Sequence, residues 1–551
     1  MLSFCHFKGF AKWSAGEDDF LSCVLGFKVN ERSDIYNNLR IFAKYNLHQS
    51  IRQTYLHCAR LPAFTGAKPF YTDNQNTSKY MNKNTTLALA LLLATGTGAS
   101  AQQTNDGGIS ADMLSKIEQT QQKTSTTNKA IFNAMASNSI DDLAKNFANQ
   151  GEIDTHFSIE TPKQSIHNQK SSGRCWMFSG LNVLRSDFAK AHGDSLQVEF
   201  SQDYLFFYDQ LEKANLMLQG VIDCAKKPID DTRVQFFFQH PINDGGTFCG
   251  VSDLAEKYGL APKSAQPETY SAENTSRMSR LVSSKLREFG LELRQMVADG
   301  KKAAAIKERK TEMLGTIYHM LTLTLGEPVK EFTYAFRDKD GKTVGEAKKY
   351  TPRQFYEATV GGKLNGTFIM VMNDPRRPYH KTYEVEYDRH TYDGHNWRYL
   401  NLPTEDIAKL AIASLKDGRK MYSSYDVGKQ LDRNRGYLDT ENYDYGSLFG
   451  TTFGMNKAQR IETFDSGSTH AMTLTAVDLD ADGNPTKWKV ENSWGSTSGQ
   501  NGYIIMTNRW FDEYMFRLVV KKQYVSDALL KEYEQKPVMV MPEDPLFGED
   551  K

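Results

Sequence analysis

Four residues in three distant stretches have the types that acyl-transfer chemistry requires. Cys175 lies in NQKSSGRCWMFSG, residues 168–180, shortly after Gln169. A thiol attacks a carbonyl carbon well only as thiolate. A helix N-terminus favours thiolate, because unpaired N–H groups and the helix dipole attract negative charge there. Ser171-Ser172-Gly173-Arg174 is loop-like, and Met177, Leu181, Leu184 and Phe188 then recur at helical spacing. A helix is therefore predicted to begin at Cys175, with Arg174 a candidate for added positive charge beside the sulfur. A thiolate also needs a proton partner, most often histidine. Of the 12 histidines, His470 in DSGSTHAMTLTAV stands where a polar loop enters an apolar strand. Asn492 in KWKVENSWG ends the next strand. Two adjacent antiparallel strands would bring its amide oxygen to the His470 ring and fix the tautomer. The Gln169 NH2, with the Cys175 backbone N–H, could meet the oxygen that becomes negative in a tetrahedral intermediate. Losing one such donor costs about 2.7–4 kcal/mol of barrier. Singly, each residue has a blander reading: a buried small hydrophobe, a structural histidine, a turn asparagine. The joint order Gln, Cys, His, Asn selects the chemical one.

These residues must be positioned by elements of two kinds. The run 276–325 is rich in Leu, Lys, Glu, Ala and Arg and predicts two or more long helices broken near Asp299-Gly300. A helical pattern also covers about 130–148. After Pro328 the character changes. TFIMVMNDP at 367–375 reads as a buried strand stopped by Asn-Asp-Pro, and KTYEVEYD and KWKVENSWG alternate as half-buried strands do. LDADGNP at 479–485 reads as a turn. Helices first and strands late argue an α+β fold.

Composition excludes little but is consistent. The chain has 551 residues, 39% hydrophobic and 24% charged, with a formal net charge of zero. That balance offers no long-range attraction to nucleic acid or an anionic membrane surface. The six cysteines form no CxxC pair, and no HExxH or paired Cys/His spacing suggests zinc, so neither cofactor nor metal is expected.

Residues 81–102 read MNKNTTLALALLLATGTGASAQ. Lys83, the apolar run Leu87–Ala94 and the small-residue site Ala99-Ser100-Ala101 follow one another as in a secretory signal. The run is too short to span a bilayer, which takes about 20 residues. The competing reading makes 1–80 a genuine N-terminal module and the apolar run a buried helix. The order of the three features favours an upstream extension over 1–80, a signal peptide over 81–101 and a mature start at Gln102, without a membrane anchor. Residues 102–128 are polar and read as a mobile start. In an exported chain Cys175, Cys224 and Cys249 remain. A Cys224–Cys249 bridge would contribute about 3–4 kcal/mol in the chain-entropy model; two buried thiols are the alternative. Either way Cys175 is left over.

The blocks Q-x5-CW-x-F, STHAM and VENSWG resemble those of the papain-like cysteine peptidases. The resemblance implies Cys175 as nucleophile, His470 as base, Asn492 as its orienter and Gln169 as oxyanion donor, with Trp494 shielding the His–Asn hydrogen bond. The sequence departs from the ordinary pattern in Ser172-Gly173-Arg174 before the nucleophile. Its Cys-to-His interval is also roughly twice the usual one. NQKSSGRCW, FSQDYLFFYDQLEKAN, NDGGTFCGVSDLAEKYGLAPK, KLREFGLELR, YSSYDVGK and KWKVENSWG are similar to the bleomycin hydrolase and aminopeptidase C branch over about 130–540. That branch implies a helical lobe and a β-rich lobe over 129–540, with a helical insertion at about 276–325. It also implies a homohexamer and a C-terminal tail, 541–551, in the cleft. The terminal carboxylate, here on Lys551, would meet the α-amino group of a short peptide, and Trp176 and Trp494 join it on the substrate side. The activity implied is removal of N-terminal residues. Pro542, Asp544, Pro545 and Gly548 match the branch's ending, but Glu549-Asp550-Lys551 replaces its small apolar finish. A tail that fails to fill the cleft would give an endopeptidase or acyltransferase. A peptide- or nucleic-acid-binding protein with vestigial catalysis is the reading from another class.

Overall fold

The computed structural model describes residues 107–120 and 126–546. The signal-peptide reading, residues 1–80 and the end of the tail with Lys551 lie outside the described residues. The chain divides into two units, 1–121 and 122–551. The first contains helix α1, Ala111–Thr120, which has no buried side chain. It lies in the stretch that polar composition assigns to a mobile start. Ser110 accepts the Met113 N–H at 3.1 Å, and Met113, Leu114 and Ile117 fall on helical spacing.

The second unit is α+β. Helix α2 (Thr126–Met135) is followed by the short helix Ile140–Ala144 and the two-residue strand Ile159–Glu160, and then by α3 (Cys175–Ala191), α4 (Gln202–Asp223) and α5 (Phe248–Tyr258). The Leu/Lys/Glu-rich run folds as two helices, α6 (Ser276–Ala298) and α7 (Ala303–Leu325), parted by Gly300 at φ +69°. That left-handed conformation costs glycine no Cβ clash. A hairpin follows, in which Phe332–Arg337 packs on the helical core and its partner Thr343–Tyr350 is mostly exposed.

The later half supplies the sheet: β1 (Phe368–Met372), β2 (Lys381–Val385), β3 (Arg398–Asn401), β4 (Met421–Tyr425), β5 (His470–Leu479), β6 (Pro485–Glu491), β7 (Tyr503–Thr507), β8 (Met515–Lys521) and β9 (Val538–Val540). Their order is β9-β2-β3-β1-β8-β4-β5-β6-β7, extended beyond β7 by short strands Tyr437–Leu438 and Leu431–Asp432. Helix α8, Thr404–Lys416, covers one face of the sheet. The α3–α5 half covers the other. Period-2 alternation sorts neighbours between the two cores. Tyr422, Ala471 and Val519 join the first, and Met421, Met472, Leu518 and Val520 the second. The central strands are thus buried on both faces, with Ser423, Ser424, Thr473, Thr475 and Arg517 buried among their apolar residues, and β6, expected to be half-buried, is buried from Trp488 to Glu491.

Helix α3 is the link between the halves. Its Trp176, Met177, Leu181, Leu184 and Phe188 are fully or nearly fully buried. Burying each such side chain stabilises the fold by about 1.5–3 kcal/mol. At Gly180 a Cβ would stand 2.6 Å from Val251 Cγ2, so α3 and α5 approach closely only because the side chain is hydrogen.

Candidate active site

Cys175 is the first residue of α3, and Arg174 caps the helix without a side-chain hydrogen bond. The sulfur is half-buried. It accepts the Ala471 N–H at 3.5 Å and stands 3.8 Å from the Gly173 carbonyl oxygen. Arg174 does not add its charge to the pocket. The side chain is fully buried, turned into the helical half, with Nη2 on Glu268 at 2.6 Å and the guanidinium 5.1 Å from the Phe206 ring. Adjacent residues at a helix start point in different directions, and here the apolar side took the arginine.

His470 opens β5 opposite Tyr425 of β4. Its Nε2 and Asn492 Oδ1 are 2.8 Å apart. That contact leaves Nδ1 as the nitrogen for the cleft. Asn492 follows β6, the antiparallel partner of β5, and also accepts the Ser493 N–H on Oδ1 at 2.8 Å. Burial pushes the His470 imidazole down to about 4, the Asn492 amide oxygen opposes this, and the Arg433 charge adds to the lowering. The ring of Trp494 stacks on that of His470 at 4.9 Å and 28°. Arg433 lies over Trp494 with its guanidinium carbon 4.3 Å from the ring centre.

Gln169 is buried and enters from the loop before α3. Its backbone N–H donates to Ser493 O at 2.8 Å. The Ser493 hydroxyl donates to its Oε1, and its Nε2 donates to Ser172 O. One residue, Ser493, therefore holds both the histidine's orienter and the glutamine amide. Sequence reasoning missed it inside the NSWG turn. Gln169, Cys175 and His470 line one cavity of about 210 Å³, with Asn243, Asp244, Gly245, Gly246, Ser468 and Arg517 among the other walls.

Trp176 sits differently from its expected place on the substrate side. It is fully buried, donating from Nε1 to Asp244 O at 2.9 Å and packing on His390 at 4.4 Å. It supports the Asp244–Gly246 wall from behind. His390 is engaged on both ring nitrogens, by Asp209 at Nδ1 and by the Thr247 N–H at Nε2, and has a structural place. A Cβ on Gly246 would come within 2.1 Å of His390 Cε1, so this wall must be glycine.

The halves are locked by buried charge. Arg185 of α3 donates to Glu491 Oε1 at 2.6 Å, and Lys420 donates to Glu491 Oε2 at 2.8 Å. Glu491 directly precedes Asn492. Burial pushes its carboxyl up, but Lys420 and Arg185 outweigh that and hold it below the ordinary carboxylate range. Arg185 also donates to Glu199, which His167 engages at 2.6 Å. Cys224 and Cys249 are free buried thiols, so the bridge open on sequence is not formed; Cys249 Sγ is 2.8 Å from Thr247 Oγ1. Among the described residues no helix is long and apolar enough to cross a membrane.

Thiol and imidazole presented from facing halves, with an amide behind the ring, define a class: the cysteine peptidases of papain-like fold. Comparison with known proteins narrows it. The profile of the Peptidase C1-like family matches residues 108–547. Aminopeptidase C of Lactobacillus delbrueckii subsp. lactis is 39% identical over 419 residues, 75% of this chain and 92% of that one. Bleomycin hydrolase of Homo sapiens is 40% identical over 389 residues, 69% of this chain and 85% of that one. The crystal structure of PepW from Lactobacillus rhamnosis HN001 superposes with a TM-score of 0.75 at 37% identity, covering 80% of this chain and 99% of that one. The chain belongs to the Peptidase C1-like family.

Proposed function

We propose that this protein is an exported cysteine aminopeptidase that removes N-terminal residues from short peptides. The observation that carries the reading is the 2.8 Å contact of His470 Nε2 with Asn492 Oδ1, one residue from the N–H that touches Cys175 Sγ. In this reading His470 Nδ1 takes the Cys175 proton and the thiolate attacks the scissile carbonyl. The carbonyl oxygen gains charge where the Gln169 amide and the Cys175 N–H donate to it. His470 then returns the proton to the leaving amine as the C–N bond breaks. Water, deprotonated by His470, hydrolyses the acyl-enzyme and restores the thiol.

The names of the relatives support removal of N-terminal residues. Pro542 of the tail lines a cavity together with Gly245 and Gly246, which also wall the cavity of Cys175 and His470, and this supports a restricted cleft. Strand β9 pairs with β2, and Asp544 is held by Arg376 at 2.7 Å and by Arg377. Leu546 is fully buried, so the chain is anchored up to the last described residue. Assembly as a homohexamer and a mature start at Gln102 complete the proposal. Comparing peptides with free and acetylated N-termini tests it. Aminopeptidase action predicts at least ten-fold faster cleavage of the free form; equal rates overturn it in favour of endopeptidase action.

A further inference from the structure

The geometry points to Arg433 as a specificity-determining residue of the same site, one that binds a carboxylate on the first residue of the leaving group. The inference rests on the peptidase reading above. A histidine that gives its proton to the leaving nitrogen must have that nitrogen, and the residue attached to it, on its own side of the sulfur. On that side the His470 ring is covered by Trp494, stacked at 4.9 Å. The outer neighbour of Trp494 is Arg433, 4.3 Å over the indole. The leaving residue is therefore bordered by Trp494, with the guanidinium two ring contacts from the imidazole.

Three facts make this arginine available to a ligand. Its side chain is exposed, whereas His470 and Asn492 are buried. It forms no ion pair among the described residues, while nearby Arg435 is spent on the carbonyl oxygens of Asn149 and Gly151. It is also held on a built turn. Leu431–Asp432 pairs antiparallel with Tyr437–Leu438, the connection carries Gly436 at φ +60°, and Arg435 N donates to Asp432 Oδ1 at 3.2 Å. Contact with the indole limits the guanidinium's freedom without using its N–H groups, which can bind a carboxylate bidentately. The carboxylate is either the C-terminus of a dipeptide or an Asp or Glu side chain just after the scissile bond.

Four substrates sharing one N-terminal residue, here X, separate these sources: X-Ala, X-Ala-amide, X-Asp-amide and X-Lys-amide. Wild type is expected to show kcat/KM on X-Ala, X-Asp-amide or both about three- to ten-fold above X-Ala-amide. X-Lys-amide should fall below X-Ala-amide. A gain on X-Ala alone assigns the C-terminal carboxylate, and a gain on X-Asp-amide alone the side chain. Arg433→Glu should reverse the order of X-Asp-amide and X-Lys-amide, and Arg433→Gln should level it. High salt should shrink the wild-type preference. Wild-type ratios unchanged in both variants, with X-Ala-amide still cleaved, would overturn the inference and leave the peptidase reading standing. Wild type cleaving none of the four overturns both.

Discussion

Burial sets the charge of His470, and that makes a test at the residue scale. Its imidazole is held at about 4, below the 6.5 of an exposed ring. Between these values the unfolded chain binds a proton that the folded chain refuses, so stability rises with pH there. The contribution is full above pH 6.5 and lost as pH falls toward 4. In a Cys175→Ala background, where no thiolate can hold an imidazolium, urea unfolding should lose about 3 kcal/mol more across that window than the same background carrying His470→Gln. Equal losses would mean the ring is not buried neutral. Ser493 offers a second residue-scale test. Removing its hydroxyl frees the Gln169 Oε1, so Ser493→Ala should lower kcat more than it raises KM, by about ten-fold, approaching the cost of a lost oxyanion donor. A change in KM alone would assign Ser493 to substrate binding. At this scale the sequence was most legible: Cys175, His470 and Asn492 meet as their types and order suggested. What stayed hidden was direction, since no spacing rule says that Arg174 and Trp176 turn inward while Cys175 faces the cleft.

Elements hold these side chains by joining one helix to one sheet. Glu491 fastens α3 through Arg185 and the approach to β4 through Lys420, one residue before Asn492. Removing one partner of a buried ionic cluster leaves uncompensated charge and costs about 3–5 kcal/mol. Glu491→Gln should therefore destabilise the protein by that order in chemical unfolding and lower kcat through displacement of Asn492. An activity unchanged in folded variant protein would show that the cluster does not position the asparagine. The helix pair over 276–325 and the strands at 368–372 and 485–491 were legible from periodicity and turn residues. The ion cluster was not, because Arg185, Lys420 and Glu491 are brought together only by topology. Helix α1 was missed because its polar composition outweighed three apolar residues on one face.

Across the whole molecule, the tail is tied down at Asp544. Arg376 and Arg377 clamp that carboxylate and hold its proton affinity low, against the upward push of burial. If the clamp places the tail in the cleft, Asp544→Asn should raise cleavage of acetylated peptides relative to free ones several-fold. An unchanged ratio would detach the tail from specificity. N-terminal sequencing of the cell-expressed protein should return Gln102, and Met1 would refute the signal-peptide reading. The two-lobed α+β architecture was legible in the order of helix-rich and strand-rich segments. The interleaved strand order, with β8 between β1 and β4, was not, because long-range pairing leaves no local mark.

Activation of the Cys175 sulfur by His470, itself held by Asn492, is read from the rate of iodoacetamide alkylation at pH 7. Mass spectrometry would locate the label on Cys175. Wild type should be alkylated at least ten-fold faster than folded His470→Gln, with Asn492→Ala in between. Equal rates in all three proteins would contradict it.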